Sequence, residues 1–316
     1  MTRAFIFPGQ GSQFVGMGQD LAEAFPEARD TFAAVDDAIG QNLSRLMFTG
    51  PESDLNLTEN TQPALMAVSM AVVNVLVRQG GLRLADSCAF VAGHSLGEYS
   101  ALTAAGALDL ADTARLLKLR GQAMQAAVPV GKGAMAAILG LAFDDVKAIA
   151  AQASGQDEIC QAANDNSDGQ VVVSGHKGAV AAAIALAQEK GAKRAIELPV
   201  SAPFHCTLMA PAAQRMATAL ADTNIRKPFV PVVANVIAAG TDDPARIRQL
   251  LVEQITGTVR WRESVRWMHA QGVTEMVELG AGKVLSGLVK RIEKDVICES
   301  VGTPAQVDDL ITRILS

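Results

Sequence analysis

The chain has 316 residues and a formal net charge of -6; 49% of its residues are hydrophobic and only 4% aromatic. That length suits one large domain, or a large and a small one, with a core built mainly from Ala, Val, Leu and Ile. The acidic balance argues against generic nucleic-acid binding. No apolar run reaches the roughly 18 residues of a membrane span, since Ala64–Val77 is broken by Ser69 and Asn74.

Met1-Thr-Arg3 leads straight into the strand-like Ala4–Phe7, so no signal peptide is expected and the chain reads as soluble and cytoplasmic. The strand runs into Pro8-Gly-Gln-Gly-Ser-Gln13, a loop at a strand's C-terminal end, where α/β sites form. The loop lacks both the Walker Lys-Ser/Thr and a full G-x-G-x-x-G, so it is read as a backbone donor for an oxyanion rather than a phosphate cradle. Gln62–Arg78 predicts a long helix with Pro63 near its first turn and Gly80-Gly81 beyond its end.

Phe90–Ala92 predicts a strand, followed by Gly93-His-Ser-Leu-Gly97 and a helix-like run over Glu98–Ala105. Strand, glycine-flanked turn and helix make the context of a nucleophile elbow with Ser95 at its apex. Glycine on both sides permits the tight turn. The helix N-terminus behind it offers N–H groups to a developing oxyanion. The bland alternative is a Gly-rich turn that happens to hold a serine. Leu108–Ala127 predicts the next helix and carries Arg120 beside its apolar face. That side chain is either a surface ion-pair partner or a planar fork for a substrate carboxylate.

The middle of the chain changes pattern. After the linker Pro129–Gly133 come a strand (Ala134–Leu139), a helix (Phe143–Ala153) and a strand (Glu158–Ala162). A turn over Asn164–Gly169 precedes a strand (Gln170–Ser174), a helix (Lys177–Lys190) and a strand (Lys193–Leu198). The order βαββαβ is the ferredoxin-like pattern. It predicts an inserted small subdomain over 129–198 within a large α/β domain formed by 1–128 and 199–316, with a cleft between them. Strands at Val230–Ala234, Thr274–Glu278 and Val296–Glu299, and helices at 244–256, 261–270, 283–293 and 304–315, complete a mainly parallel α/β sheet.

A serine nucleophile needs a base, and there are only four histidines. His94 adjoins Ser95 and should diverge from it. His176 begins a helix of the insertion, and His269 ends an amphipathic helix. His205 sits in the Pro-constrained Leu198–Cys206 loop that returns from the insertion, where it is either the base or a structurally bonded loop histidine. An ordinary α/β-hydrolase places an Asp or Glu between nucleophile and histidine. Several carboxylates lie there, but none stands in a recognisable turn after a late strand, which counts against the hydrolase reading. A backbone carbonyl could hold the imidazole tautomer instead. The cysteines Cys88, Cys160, Cys206 and Cys298 share no metal-ligand spacing.

These segments together resemble the malonyl-CoA:acyl carrier protein transacylase family. The resemblance is carried by Phe7–Gln13, Thr61-Gln-Pro-Ala64, Gly93–Tyr99, Arg120-Gly-Gln122, Asn164-Asp-Asn-Ser167 and Val173-Ser-Gly175. It continues through Val200–His205, Val259-Arg-Trp261 and Glu278–Val284, in the family's order over nearly the whole chain.

The resemblance implies a hydrolase-like core and transfer of malonyl from malonyl-CoA to the phosphopantetheine thiol of acyl carrier protein. A serine thioesterase using the same Ser-His pair is the alternative. It further implies Ser95 as nucleophile and His205 as base, N–H groups of Gln10 and Leu96 as oxyanion hole, and Arg120 on the malonate carboxylate. The main-chain carbonyl of Gln254 is then the group that orients the histidine, and Gln62 and Asn166 lie near the site. Phe204 occupies a position where an aromatic accompanies malonyl choice in related enzymes. No metal or other cofactor is implied, and neither nucleic acid nor membrane is an expected partner; a monomer is expected. Lys283, Lys290, Arg291 and Lys294, and separately Lys190, Lys193 and Arg194, are candidate docking patches for the acidic carrier protein, or solvated faces.

Overall fold

The computed structural model describes residues 2–200 and 202–315; Ser201 of the Val200–His205 motif lies outside them. Among the described residues ten strands make two sheets: β1 (Arg3–Phe7), β2 (Phe90–Gly93), β3 (Gly133–Leu139), β4 (Cys160–Ser167), β5 (Gln170–His176), β6 (Arg194–Glu197), β7 (Val232–Ala234), β8 (Ala239–Thr241), β9 (Glu275–Leu279) and β10 (Ile297–Val301). The larger sheet has the order β10-β9-β1-β2-β7-β8, parallel throughout except for the antiparallel edge strand β8. The second sheet, β4-β5-β3-β6, is antiparallel and carries the helices Phe143–Ala153 and Lys177–Glu189. Its strand order and βαββαβ connectivity match the ferredoxin-like expectation.

β1 and β2 are central and buried on both faces, as their continuous apolar sequences require. Helix Thr58–Arg78 packs against β9 and shares one buried apolar cluster with Phe5 and Phe7 of β1 and Val91 of β2. It is long and apolar enough to cross a membrane, yet 89% of its apolar window is buried inside the protein. It begins four residues before the expected Gln62, so Pro63 falls inside it. Helix Leu110–Ala126 lies against it at Gly121, where a Cβ would collide with the Glu59 backbone. That close approach carries Arg120 inward: the side chain is 1% exposed, which removes the surface ion-pair alternative.

One expected turn is a strand. Asn164–Ser167 continue β4 to a tight turn at Asp168-Gly169, instead of forming the turn over 164–169. Tertiary pairing overrides their turn propensity. Asp165 N–H donates to Val259 O and Val259 N–H to Ala163 O, each at 2.9 Å, so β4 is stitched to the large sheet's domain as well as to β5. Two register shifts in the β4–β5 ladder accommodate this double pairing. The helices over 19–55 and Ala210–Ala221, together with β8, had no counterpart in the expected elements. All four cysteines are free and buried.

Candidate active site

The site forms where the C-terminal ends of β1, β2 and β7 meet, at the middle of the parallel sheet. β1 delivers the Pro8–Gln13 loop, β2 the Ser95 turn, and β7 the residue Asn235. Ser95 has φ 55°, a left-handed conformation that an L-residue adopts only under constraint. The constraint is visible: a Cβ on Gly93 would fall on the backbone of Gly97, and one on Gly97 on the carbonyls of Phe7 and Pro8. Glycine at both positions is what lets the turn close against β1.

Ser95 Oγ lies 2.8 Å from His205 Nε2, and His205 Nδ1 lies 2.8 Å from the main-chain carbonyl of Gln254. The carbonyl accepts only from a protonated Nδ1. Nε2 is thereby left as the acceptor that takes a proton from the hydroxyl. No carboxylate contacts the imidazole among the described residues. His205 itself has φ 57°, so both members of the pair sit in sparsely populated backbone conformations. Burial, then the nearby Arg120 charge, pushes the His205 pKa down to about 3, so the ring stays neutral over the ordinary pH range.

Arg120 reaches the same point from the other side. Its Nη2 donates to Ser95 Oγ at 3.1 Å and to Gln254 Oε1 at 2.8 Å, while Nη1 donates to Gln62 Oε1 at 2.8 Å. Among the described residues its buried Nε has no hydrogen-bond partner and no carboxylate lies within ion-pair distance of the guanidinium. The guanidinium lies 5.6 Å from the centroid of the Tyr99 ring. A buried cation held by neutral oxygens, with a donor to spare, is a site for an anion.

The structure brings most of the expected residues to one cavity. Gln10, Gln62, Ser95, Leu96, Arg120, Asn166, Phe204 and His205 line one cavity of about 180 Å³. Gln254 lies behind it. Asn166 Oδ1 is 2.8 Å from His94 Nε2, so this asparagine engages a ring nitrogen of the elbow histidine. The N–H groups of Gln10 and Leu96 have no acceptor among the described residues, whereas the next two in the turn, Gly97 and Glu98, bond back to His94 O and Ser95 O. Two of the remaining histidines are accounted for by local bonds: His176 accepts from Ile159 N, and His269 Nδ1 lies 3.1 Å from Val273 O.

Two residues were given no role on the sequence. Asn235 accepts Ser95 N–H on its Oδ1 at 2.8 Å and donates to Gly93 O at 2.7 Å, bracing both limbs of the turn. Glu98, 1% exposed, accepts from both Asn235 N and Gln254 Nε2. The position of Asn235 at the C-terminal end of a parallel strand was the one available signal.

This arrangement compares closely with known proteins. A family model described as acyl transferase domain matches residues 4–306. The chain is 48% identical over 303 residues to the malonyl CoA-acyl carrier protein transacylase of Escherichia coli (strain K12), covering 96% of each. A crystal structure of acyl-carrier-protein-S-malonyltransferase from Bartonella henselae matches with a TM-score of 0.97 and 53% identity over 100% of both chains. A malonyl-transacylase solved in complex with its type II PKS acyl-carrier protein matches with a TM-score of 0.95 at 43% identity, covering 99% of this chain and 100% of that one.

Proposed function

The chain belongs to the acyl transferase domain family and, within it, to the malonyl CoA-acyl carrier protein transacylases; on that premise we propose that it transfers malonyl from malonyl-CoA to the phosphopantetheine thiol of acyl carrier protein through a Ser95 ester. The observation that carries the reading is the buried Arg120 guanidinium, without a carboxylate partner, within 3.1 Å of Ser95 Oγ. It supplies the complement to the free carboxylate of a malonyl group beside the oxygen that the acyl carbon must reach.

His205 Nε2 takes the Ser95 proton as Oγ attacks the thioester carbonyl carbon. The tetrahedral oxyanion lies between the N–H groups of Gln10 and Leu96; one such donor is typically worth ~10²–10³ in rate. The carbon–sulfur bond breaks and the imidazolium returns its proton to the coenzyme A sulfur. The carrier thiol then gives its proton to His205 and attacks the ester, and Ser95 leaves with that proton. The Gln254 carbonyl stabilises the transient imidazolium, Gln62 orients Arg120, Phe204 closes the acyl pocket, and Asn166 keeps His94 out of the reaction. Residues 129–198 act as an inserted subdomain forming one wall of the cleft; they supply Met135, Asn164, Asn166, Val172 and Leu198.

The test is a mixture of the protein, malonyl-CoA and holo carrier protein, read by intact mass. A malonyl adduct on the wild type, absent in Ser95→Ala, and malonyl-carrier product support the reading. Free malonate without carrier product would replace it with hydrolysis.

A further inference from the structure

Glu98 does not line the cavity, yet the parts of the site meet on it. Its Oε2 accepts two hydrogen bonds, from Gln254 Nε2 at 2.8 Å and from Asn235 N at 2.9 Å. Both of those residues grip the nucleophile's backbone. Asn235 Oδ1 takes Ser95 N–H at 2.8 Å, and Gln254 Nε2 donates to Ser95 O at 3.0 Å. Gln254 also offers its main-chain carbonyl to His205 and its Oε1 to Arg120. One buried carboxyl oxygen thus stands behind the nucleophile, the base and the cation.

We propose that Glu98 is a positioning residue for acyl transfer, a buried double acceptor whose Oε2 fixes Gln254 and Asn235 and, through them, Ser95, His205 and Arg120. The proposal rests on the acyl-transfer reading above and adds a residue to it. The role belongs to the oxygen as acceptor and not to the negative charge. Two observations favour this. Both bonds fall on one oxygen, leaving the other free to carry a proton. Burial also pushes the Glu98 carboxyl up to about 7, so the neutral form is within ordinary reach and keeps Oε2 as an acceptor. A carbonyl oxygen in the same place meets the same two donors.

The experiment uses the full-length chain with Glu98→Gln, Glu98→Ala and Glu98→Asp. It measures kcat and KM for malonyl-CoA, the single-turnover rate of Ser95 acylation by intact mass, and the thermal midpoint. Glu98→Ala is expected to lower kcat and the acylation rate by up to ~10²-fold, the scale of an ångström-level misplacement, with KM moving much less. Glu98→Gln, isosteric and uncharged, restores kcat to within about threefold. Glu98→Asp keeps the charge but withdraws the oxygen by a methylene, and stays impaired. Should Glu98→Ala fail to fold, the contrast between Gln and Asp decides alone. The proposal is overturned by an active Asp with an inactive Gln, by Ala within about threefold of wild type, or by a loss confined to KM. A wild type that forms no malonyl ester would sink the acyl-transfer reading instead.

Discussion

Replacing Arg120 by Ala separates the recognition of a charged acyl group from the chemistry of transfer. The side chain is 1% exposed and supplies three hydrogen bonds, from Nη1 to Gln62 and from Nη2 to Ser95 and Gln254. A malonyl carboxylate taking two charge-assisted bonds gains about 1.5–3 kcal/mol from each, or about 3–6 kcal/mol together. At ~1.4 kcal/mol per decade, that is ~10²–10⁴ in kcat/KM for malonyl-CoA. The substitution has a second effect: it strands Gln62 Oε1 and Gln254 Oε1 at about 1–3 kcal/mol each, partly offset by no longer burying a cation. Absolute rates therefore mix recognition with disorder. The ratio of malonyl-CoA to acetyl-CoA acylation rates, measured on one variant by intact mass, cancels the disorder because both substrates meet the same damaged site. That ratio is expected to fall by at least ~10²-fold in Arg120→Ala. Arg120→Lys should recover only part of it, because a compact ammonium cannot reproduce the planar fork. A ratio that moves by less than about threefold in Arg120→Ala would remove Arg120 from acyl recognition.

The acylation rate should show no acid limb from His205 between about pH 5 and 7, because burial holds its folded pKa near 3; a limb centred near 6.5 would mean a solvated ring. The same depression has a stability sign. The unfolded histidine titrates near ~6.5, so its contribution to stability is complete above that pH and is lost as pH falls toward 3. Urea midpoints across this window should decline, and His205→Asn should decline less steeply. Phe204→Ser, at a site 8% exposed against the cavity, should leave malonyl transfer largely intact while admitting α-branched acyl groups. A large loss of malonyl kcat/KM would show that the ring supports His205 instead. Asn235→Ala should lower both the acylation rate and the thermal midpoint, since it orphans Ser95 N–H and weakens the hold on Gly93 O; an unchanged rate would mean that Gln254 alone holds the elbow.

Much of the site was legible because its constraints are local. The elbow demands glycine at 93 and 97 and a hydroxyl between them, and the short spacing survives as a readable string. The βαββαβ insertion was legible because each element carries its own period of hydrophobicity and its own turn. Where the reading failed, a distant partner decided. Asn164–Ser167 read as a turn by composition, and only the pairing with Val259, far along the chain, makes them a strand. Of the helices over 19–55, Gln19–Ala24 and Glu52–Leu55 span six and four residues without a side-chain cap, so neither period nor cap announces them; Pro26–Ile39 carries Pro at its start and a buried stripe at Ala28, Thr31, Phe32 and Val35, a signal the sequence did offer. Arg120 was ambiguous for a different reason. Its burial depends on how closely two helices approach at Gly121, and helical periodicity does not report that distance.

The residues that sequence reasoning left without a role share one property. Asn235 acts on the Ser95 and Gly93 backbone, Glu98 on the Asn235 N–H as well as the Gln254 amide, and Gln254 was expected only for its carbonyl although its side chain also holds Ser95 O. Backbone N–H and C=O groups carry no residue identity, so a side chain that satisfies them leaves no complementary letter elsewhere in the chain. The two strained residues explain why such partners are needed. Ser95 and His205, at φ 55° and 57°, each cost on the order of 1–3 kcal/mol unless their surroundings over-determine them. For Ser95 the over-determination is explicit, since its N–H and its carbonyl each meet a side-chain amide. A carboxylate in place of the Gln254 carbonyl would hold the imidazole more tightly, but it would also neutralise the guanidinium that donates to Ser95 Oγ. A dyad oriented by a neutral carbonyl therefore suits the proposed role of Arg120, a cation kept for a substrate carboxylate.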